Sequence, residues 1–276
     1  MQIGTIQIIV LLITGASVGF ASGLLGVGGC FIMVPVQFWA LTSIGVDSTI
    51  AIRIAFGTNL AVVLPTALSG AIGHSRKKAV QWKAGIVLGL SGLAGAFLGG
   101  FFAAHISGNI LKIGFGSAIL AGAIRMLTAK PPKVDKEPID NVVNFILWGF
   151  PLGILSGIIG IGGGVLMIPV MVLALGFNIH KAVGTSTALM IFTSIGGILS
   201  YIINGLKVSP LPPYSLGYVN FLQWALLAGL SIPMALVGVK AAHKLPAKQL
   251  KYLFIIVMIY MGLKMIGVFS WLNLPL

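Results

Sequence analysis

The sequence predicts an all-α integral membrane protein of two inverted-topology repeats, each with about five apolar segments, giving about 8 to 10 transmembrane helices with glycine-broken helices at the centre. Three observations carry this reading: apolar stretches tile most of the chain, one glycine motif occurs twice, and the basic residues are shared unevenly between alternate loops. Of 276 residues, 58% are hydrophobic and only 8% charged, with a mean hydropathy of +1.08. A soluble domain carries about 25% charged residues, so a fold of this size could not hide so much apolar surface from water. Thirty-eight glycines and thirteen prolines would weaken a soluble helical core, but both are frequent in membrane helices, where small residues allow close packing.

The first half divides into segments of about 4–25, 31–44, 50–73, 84–104 and 110–129, and the second into about 142–159, 165–176, 182–203, 219–239 and 250–270. The second segment of each half is short, so it either crosses or re-enters. Residues 19–29 lie over residues 153–163 at a constant offset of 134, pairing Ser22, Gly23, Gly26, Gly28 and Gly29 with identical residues, and Pro35 falls on Pro169. Gly57-Thr58 then matches Gly184-Thr185, His105 matches His243, and Lys112, Arg125 and Met126 match Lys251, Lys264 and Met265 in the same order. The extra segment Ser209 to Gly217 accommodates the drift in offset. The expected organisation is a first transmembrane repeat at 1–129, a polar, proline-rich cytoplasmic linker at 130–141 and a second repeat at 142–276.

Charge sets the parity. With five segments per half and the N-terminus outside, thirteen of the seventeen Lys and Arg residues face the cytoplasm, leaving Arg53, Lys112, Lys207 and Lys264 outside. Four crossings per half would divide them ten to seven, so the positive-inside rule favours the odd count, and an odd count inverts the second copy relative to the first. The formal charge of +13 therefore reads as membrane orientation and not as nucleic-acid binding. The N-terminal run has no Lys or Arg before it and reads as a retained helix.

Gly26-Val27-Gly28-Gly29 and Gly160-Ile161-Gly162-Gly163-Gly164 sit inside apolar stretches, where each glycine costs about 1 kcal/mol of helix stability. Clustered glycines mark a helix break, and broken backbone in a bilayer must be buried in protein or face water. A half-helix restarting at each break would aim free N–H groups and partial positive charge at its centre, which suits an anion. Ser22, Gly26, Gly28, Gly29, Cys30, Thr58, Asn59, Ser156, Gly160, Gly162, Gly163, Gly164, Thr185, Ser186 and Thr187 are therefore the expected substrate-binding residues. Arg53 and His180, at the start of the third segment of each half, are candidates for attracting anions to opposite mouths, although such residues also anchor helix ends. The competing reading of the glycines is close helix packing alone. His74 is expected in a solvated cytoplasmic loop, and His105 and His243 in loop roles.

Asp135, Glu137 and Asp140 fall in the linker and Asp47 at a segment boundary, leaving no carboxylate within a span for a cation or a proton relay. Cys30 is the only cysteine, so neither an intrachain disulfide nor a Cys-based metal site is expected, and no catalytic cluster, metal site or cofactor emerges.

The repeated Gly-hydrophobic-Gly-Gly-Gly break with a following proline, together with Ala182-Val183-Gly184-Thr185-Ser186, resembles the sulfite exporter TauE/SafE family of membrane transporters from about residue 19 to residue 266. The first half differs in having Cys30 at the last glycine and Gly57-Thr58-Asn59 for Gly-Thr-Ser. The resemblance implies a secondary permease or exporter of sulfite or a related organosulfur or organic anion, multi-pass in the cell membrane, working by alternating access between the breaks. Its partners are the lipid bilayer and a small anionic substrate, with room for a coupling ion and a homo-oligomer. An anion channel and an intramembrane enzyme are the alternatives, the latter lacking the residue clusters it would need.

Overall fold

A computed structural model of the chain describes residues 4–128, 140–242 and 247–268. The expected linker residues 130–139, with Asp135 and Glu137, lie outside the described residues, as do His243, Lys244 and both termini. Ten helices occur among the described residues: α1 (Thr5–Leu25), α2 (Cys30–Thr42), α3 (Ser48–Arg76), α4 (Trp82–His105), α5 (Gly108–Thr128), α6 (Val142–Ile159), α7 (Gly164–Leu173), α8 (Ile179–Gly205), α9 (Phe221–Ala242) and α10 (Ala247–Ile266). α3 and α8 begin two and three residues before the expected apolar segments because a polar cap starts each of them. Asp47 accepts from the N–H groups of Thr49 and Ile50 at 2.9 and 3.2 Å, and Asn178 accepts from Lys181 N–H at 2.8 Å, so each side chain satisfies orphan donors of the first turn. Asp140, just before α6, meets Lys83 at 2.9 Å; both are exposed, and the pair contributes little.

Six helices, α1, α3, α4, α6, α8 and α9, are long and apolar enough to cross a membrane. The protein is a multi-pass α-helical membrane protein. The 13 residues of α2 and 10 of α7 span about 20 and 15 Å at 1.5 Å per residue, short of a hydrocarbon core of about 30 Å. α2 folds back along α1, with Gly29 against Val18 and Gln7 Nε2 donating to Ser43 Oγ at 3.2 Å.

The packing exchanges elements between the two halves of the chain. Gly15, Gly19 and Gly23 of α1 rest in turn on the backbone of Leu227, Ser231 and Ala235 of α9, so these helices run parallel. In the same manner Gly149, Gly153 and Gly157 of α6 rest on Leu88, Gly92 and Ala96 of α4. Every residue in the second set is the counterpart of one in the first, at offsets of 134 for the glycines and 139 for their partners. A side chain at any of these six glycines would meet backbone atoms of the facing helix, so their absence of a Cβ sets the helix spacing. The counterparts α3 and α8 run antiparallel: Gly70 faces Thr187, whereas Leu60, ten residues earlier, faces Gly197, ten residues later.

The Pro- and Tyr-rich insertion holds the only strands among the described residues, β1 (Ser215–Leu216) and β2 (Val219–Asn220), a short antiparallel pair. The hairpin turns back onto the bundle, burying Tyr218 and Asn220, and Tyr218 N–H donates to Tyr201 O at 3.1 Å.

Close packing at the glycine rows makes a distinction that thermal unfolding in detergent would test. Gly19→Ala and Gly153→Ala are expected to destabilise the protein by about 1–3 kcal/mol through overpacking. Gly114→Ala and Gly229→Ala, where a Cβ meets nothing within 4 Å, should leave the midpoint unchanged or raise it. Equal effects at all four positions would show that helix spacing is set elsewhere.

Candidate functional site

Both glycine runs are helix breaks, and their backbones repeat residue by residue. Gly26, Gly28 and Gly29 have φ of 67°, 75° and 63°; Gly160, Gly162 and Gly163, each 134 residues later, have 65°, 78° and 97°. L-residues with a Cβ rarely occupy this left-handed region, so the pattern requires glycine. Gly26 N–H closes α1 on Ser22 O at 2.8 Å, and Gly160 N–H closes α6 on Ser156 O, the left-handed arrangement that satisfies a terminal carbonyl. Gly29 and Gly163 then start α2 and α7 with no side-chain cap, leaving first-turn N–H groups without intrahelical acceptors.

The two breaks pack directly against one another. A Cβ on Gly164 would lie 2.5 Å from Gly26 O and 3.0 Å from Val27 Cα, and one on Gly28 would lie 3.6 Å from Ile161 O. Each break is tied by the opposite half of the chain. Ser186 Oγ, on α8, donates to Gly26 O at 2.9 Å and also lies within reach of Val183 O, while Asn59 Nδ2, on α3, donates to Gly160 O. Ser186 and Asn59 are counterparts at an offset of 127, so both ties occupy the same place in the two halves.

The residues just before them also act in pairs. Thr58 Oγ1 accepts from Asn220 N–H at 2.9 Å, just ahead of α9, and Thr185 Oγ1 accepts from Gln81 N–H at 3.0 Å, just ahead of α4. Gly57 and Gly184 let the carbonyls of Tyr218 and Ala79 come close. The Gly-Thr-Asn and Gly-Thr-Ser motifs thus work as clamps: glycine admits the loop, threonine holds the next helix start, and the third residue holds the opposite break.

Of the expected site residues, Ser156, Gly160, Gly162, Gly163, Gly164, Gly26, Gly28, Asn59 and Ser186 gather at the paired breaks, and Ser22 and Gly29 adjoin them. The hydroxyls of Thr58, Thr185 and Thr187 are engaged elsewhere, Thr187 with Gly184 O at 2.7 Å. Cys30 opens α2 fully buried in an apolar cluster that includes Phe31 and Val34. Arg53 lies one turn inside α3, its Nη1 donating to Tyr218 Oη at 3.2 Å and its Nη2 to Ile106 O at 2.9 Å, with the guanidinium over the Tyr218 ring. His180 is exposed at the start of α8. His74 corrects an expectation: instead of standing in a solvated loop, it is buried within α3 with Nε2 3.0 Å from Gly23 O, because α3 runs a turn beyond its apolar core. His105 ends α4, its Nδ1 2.8 Å from Phe101 O.

Among the buried polar residues that the sequence reading did not single out are Thr193, Ser194, Gln37 and Gln223. Thr193 Oγ1 donates to Gly162 O at 2.8 Å, Ser194 Oγ has no hydrogen-bond partner, and the amides of Gln37 and Gln223 are fully buried with neither end paired. The available signal was a glutamine inside an apolar span, as in Phe31-Ile32-Met33-Val34-Pro35-Val36-Gln37. Among the described residues, no three His, Cys, Asp or Glu side chains gather where a metal could sit.

The ties across the breaks carry a measurable consequence. Ser186→Ala and Asn59→Ala each strand a buried carbonyl and are expected to destabilise the protein by about 1–3 kcal/mol in thermal unfolding. Unchanged midpoints in both variants would mean that the breaks hold their shape without these hydrogen bonds.

Comparison with known proteins identifies the chain's relatives. The family model described as Sulfite exporter TauE/SafE matches residues 11–265. A probable membrane transporter protein of Methanocaldococcus jannaschii is 32% identical over 93% of this chain and 94% of its own, and one of Haemophilus influenzae is 29% identical over 94% and 97%. The probable membrane transporter protein YunE of Bacillus subtilis is 27% identical over 95% and 99%. No solved structure matches. A family match across nearly the whole chain, together with relatives named as probable membrane transporter proteins, shows that the protein belongs to the sulfite exporter TauE/SafE family.

Proposed function

We propose that this membrane transporter is a secondary carrier of a small anion, sulfite or a related organosulfur or organic anion, working by alternating access around the paired breaks in the cell membrane. The observation that carries this reading is the meeting of two uncapped helix starts, α2 and α7, at one buried locus with no carboxylate beside it among the described residues. Free N–H groups and the positive ends of two helix dipoles favour an anion there. The substrate class follows the family name.

Residues 1–129 and 142–276 are read as inverted halves. Support comes from the antiparallel course of α3 and α8, from the exchange of α1 on α9 for α6 on α4, and from the matching backbone of the two breaks. In this reading α2 and α7 are half-helices restarting within the membrane, and the halves rock about the clamps at Asn59 and Ser186. Burial of the breaks favours a carrier over a channel, since an open conduit would leave them wetted.

Counterflow in proteoliposomes decides between these mechanisms. Vesicles loaded with unlabelled sulfite should take up labelled sulfite to a transient overshoot, while flux without overshoot, rising linearly with concentration, would make the protein a channel. Absence of flux for sulfite, thiosulfate, taurine and sulfoacetate would overturn the substrate class. Accessibility tags at Met1 and Leu276 should both report from outside intact cells, and two cytoplasmic reports would reject the orientation.

A further inference from the structure

The two breaks share a backbone but differ in what surrounds them. At the second break, the point where a Cβ on Gly163 would sit is 3.7 Å from Ser156 Oγ, and the corresponding point on Gly162 is 3.7 Å from Ser194 Oγ. Both serines are fully buried, and neither hydroxyl has a hydrogen-bond partner. This is unusual within the bundle. Other buried hydroxyls of the bundle do find acceptors, Thr66 on Val62 O at 2.8 Å, Thr187 on Gly184 O at 2.7 Å and Ser69 on Ile232 O at 3.0 Å. A buried unpaired hydroxyl costs free energy that folding must offset, so two of them beside one helix start mark groups held for a ligand.

The first break has no such pair. The counterpart of Ser194 is Ala67, and Thr66, the counterpart of Thr193, is turned to Val62 O and Ser231 Oγ. Around Gly28 and Gly29 stand Val18, Val63 and Met190, the last two shared with Gly162 and Gly164 of the second break. Ser22 is the counterpart of Ser156 and is likewise buried, but it has no second serine beside it, since Ala67 stands where the second half has Ser194.

Building on the carrier reading above, we propose that the substrate is held at one break only: a singly charged, oxygen-bearing head binds at the N-terminus of α7, hydrogen-bonded by the Ser156 and Ser194 hydroxyls, and the first break forms its apolar wall. The donors are neutral O–H and N–H groups, so the site compensates one charge far better than two. Desolvating a dianion without a cationic partner is much costlier than desolvating a monoanion. The substrate is therefore a monoanion, and Ser156 and Ser194 set its affinity, whereas Ser22 in the equivalent position of the other half does not.

Binding to the purified full chain in detergent tests this, with methanesulfonate, sulfite and sulfate as probes at constant ionic strength set with chloride. Wild type should bind methanesulfonate and be stabilised by it, and should bind sulfate at least tenfold more weakly. Ser156→Ala and Ser194→Ala should each weaken methanesulfonate binding about tenfold or more, the loss expected for a hydrogen bond to a charged group. Ser22→Ala should stay within twofold of wild type. If an alanine variant loses the wild-type elution profile, Ser156→Cys and Ser194→Cys carry the same comparison with a side chain of similar size and weaker donor strength. Wild-type binding that is weakened as much by Ser22→Ala as by Ser156→Ala, or that survives both second-break substitutions, overturns the one-sided site while leaving the carrier reading intact. Equal affinity for sulfate overturns the charge assignment. A wild-type protein that binds none of the three probes overturns the carrier reading, and this inference falls with it.

Discussion

Backbone hydrogen bonding at the two glycine breaks is the constraint on which the rest of the structure depends. Inside a bilayer no water is at hand to satisfy a broken helix, so every carbonyl and N–H freed there needs a partner from the protein. For the carbonyls this chain meets the need by crossing over, while the first-turn N–H groups of α2 and α7 stay uncapped. Gly26 O in the first half is held by Ser186 of the second, and Gly160 O in the second by Asn59 of the first. Neither half can complete its own break, which makes the site a property of the assembled pair.

The same logic orders the surrounding helices. Because the breaks must meet, α1 and α6 must each lie within reach of the opposite half, and they do so on α9 and α4 through rows of glycines that bring backbones together. Apolar side chains gain nothing by leaving lipid for one another, so close contact between helices rests on dispersion and shape. Thr58 and Thr185 then hold the loops ahead of α9 and α4, linking the breaks to the helices that brace them. Under the proposed carrier reading, motion of either half about these ties exposes the breaks to one side of the membrane at a time.

Symmetry in the backbone does not extend to the chemistry. The matching glycines of the two breaks hold a left-handed conformation that residues with a Cβ rarely adopt, while positions that only line the breaks differ between the halves. Ser194 opposite Ala67, and Asn59 opposite Ser186, are examples. The unpaired amides of Gln37 and Gln223 likewise face Met171 and Ala84 as counterparts, so buried polarity is unevenly distributed between the halves.

Helix content and boundaries were legible in the chain because the bilayer demands long apolar runs. The segment read at 142–159 coincides with α6, the caps Asp47 and Asn178 start α3 and α8 before the apolar residues that hydropathy sees, and the other boundaries shift by up to four residues. The breaks were legible for a related reason, since clustered glycine at matching offsets has few other physical explanations. Contacts between residues far apart in the chain were not. Nothing local distinguishes Thr58, which holds a loop, from Ser194, whose hydroxyl is left unpaired beside a break, or reveals that His74 is buried against Gly23. A side chain's partner is set by which helix lies opposite and at what height. The sequence by itself therefore determined the membrane-spanning elements and the position of the breaks, and only tertiary packing decided which polar groups are satisfied and which remain available to a ligand.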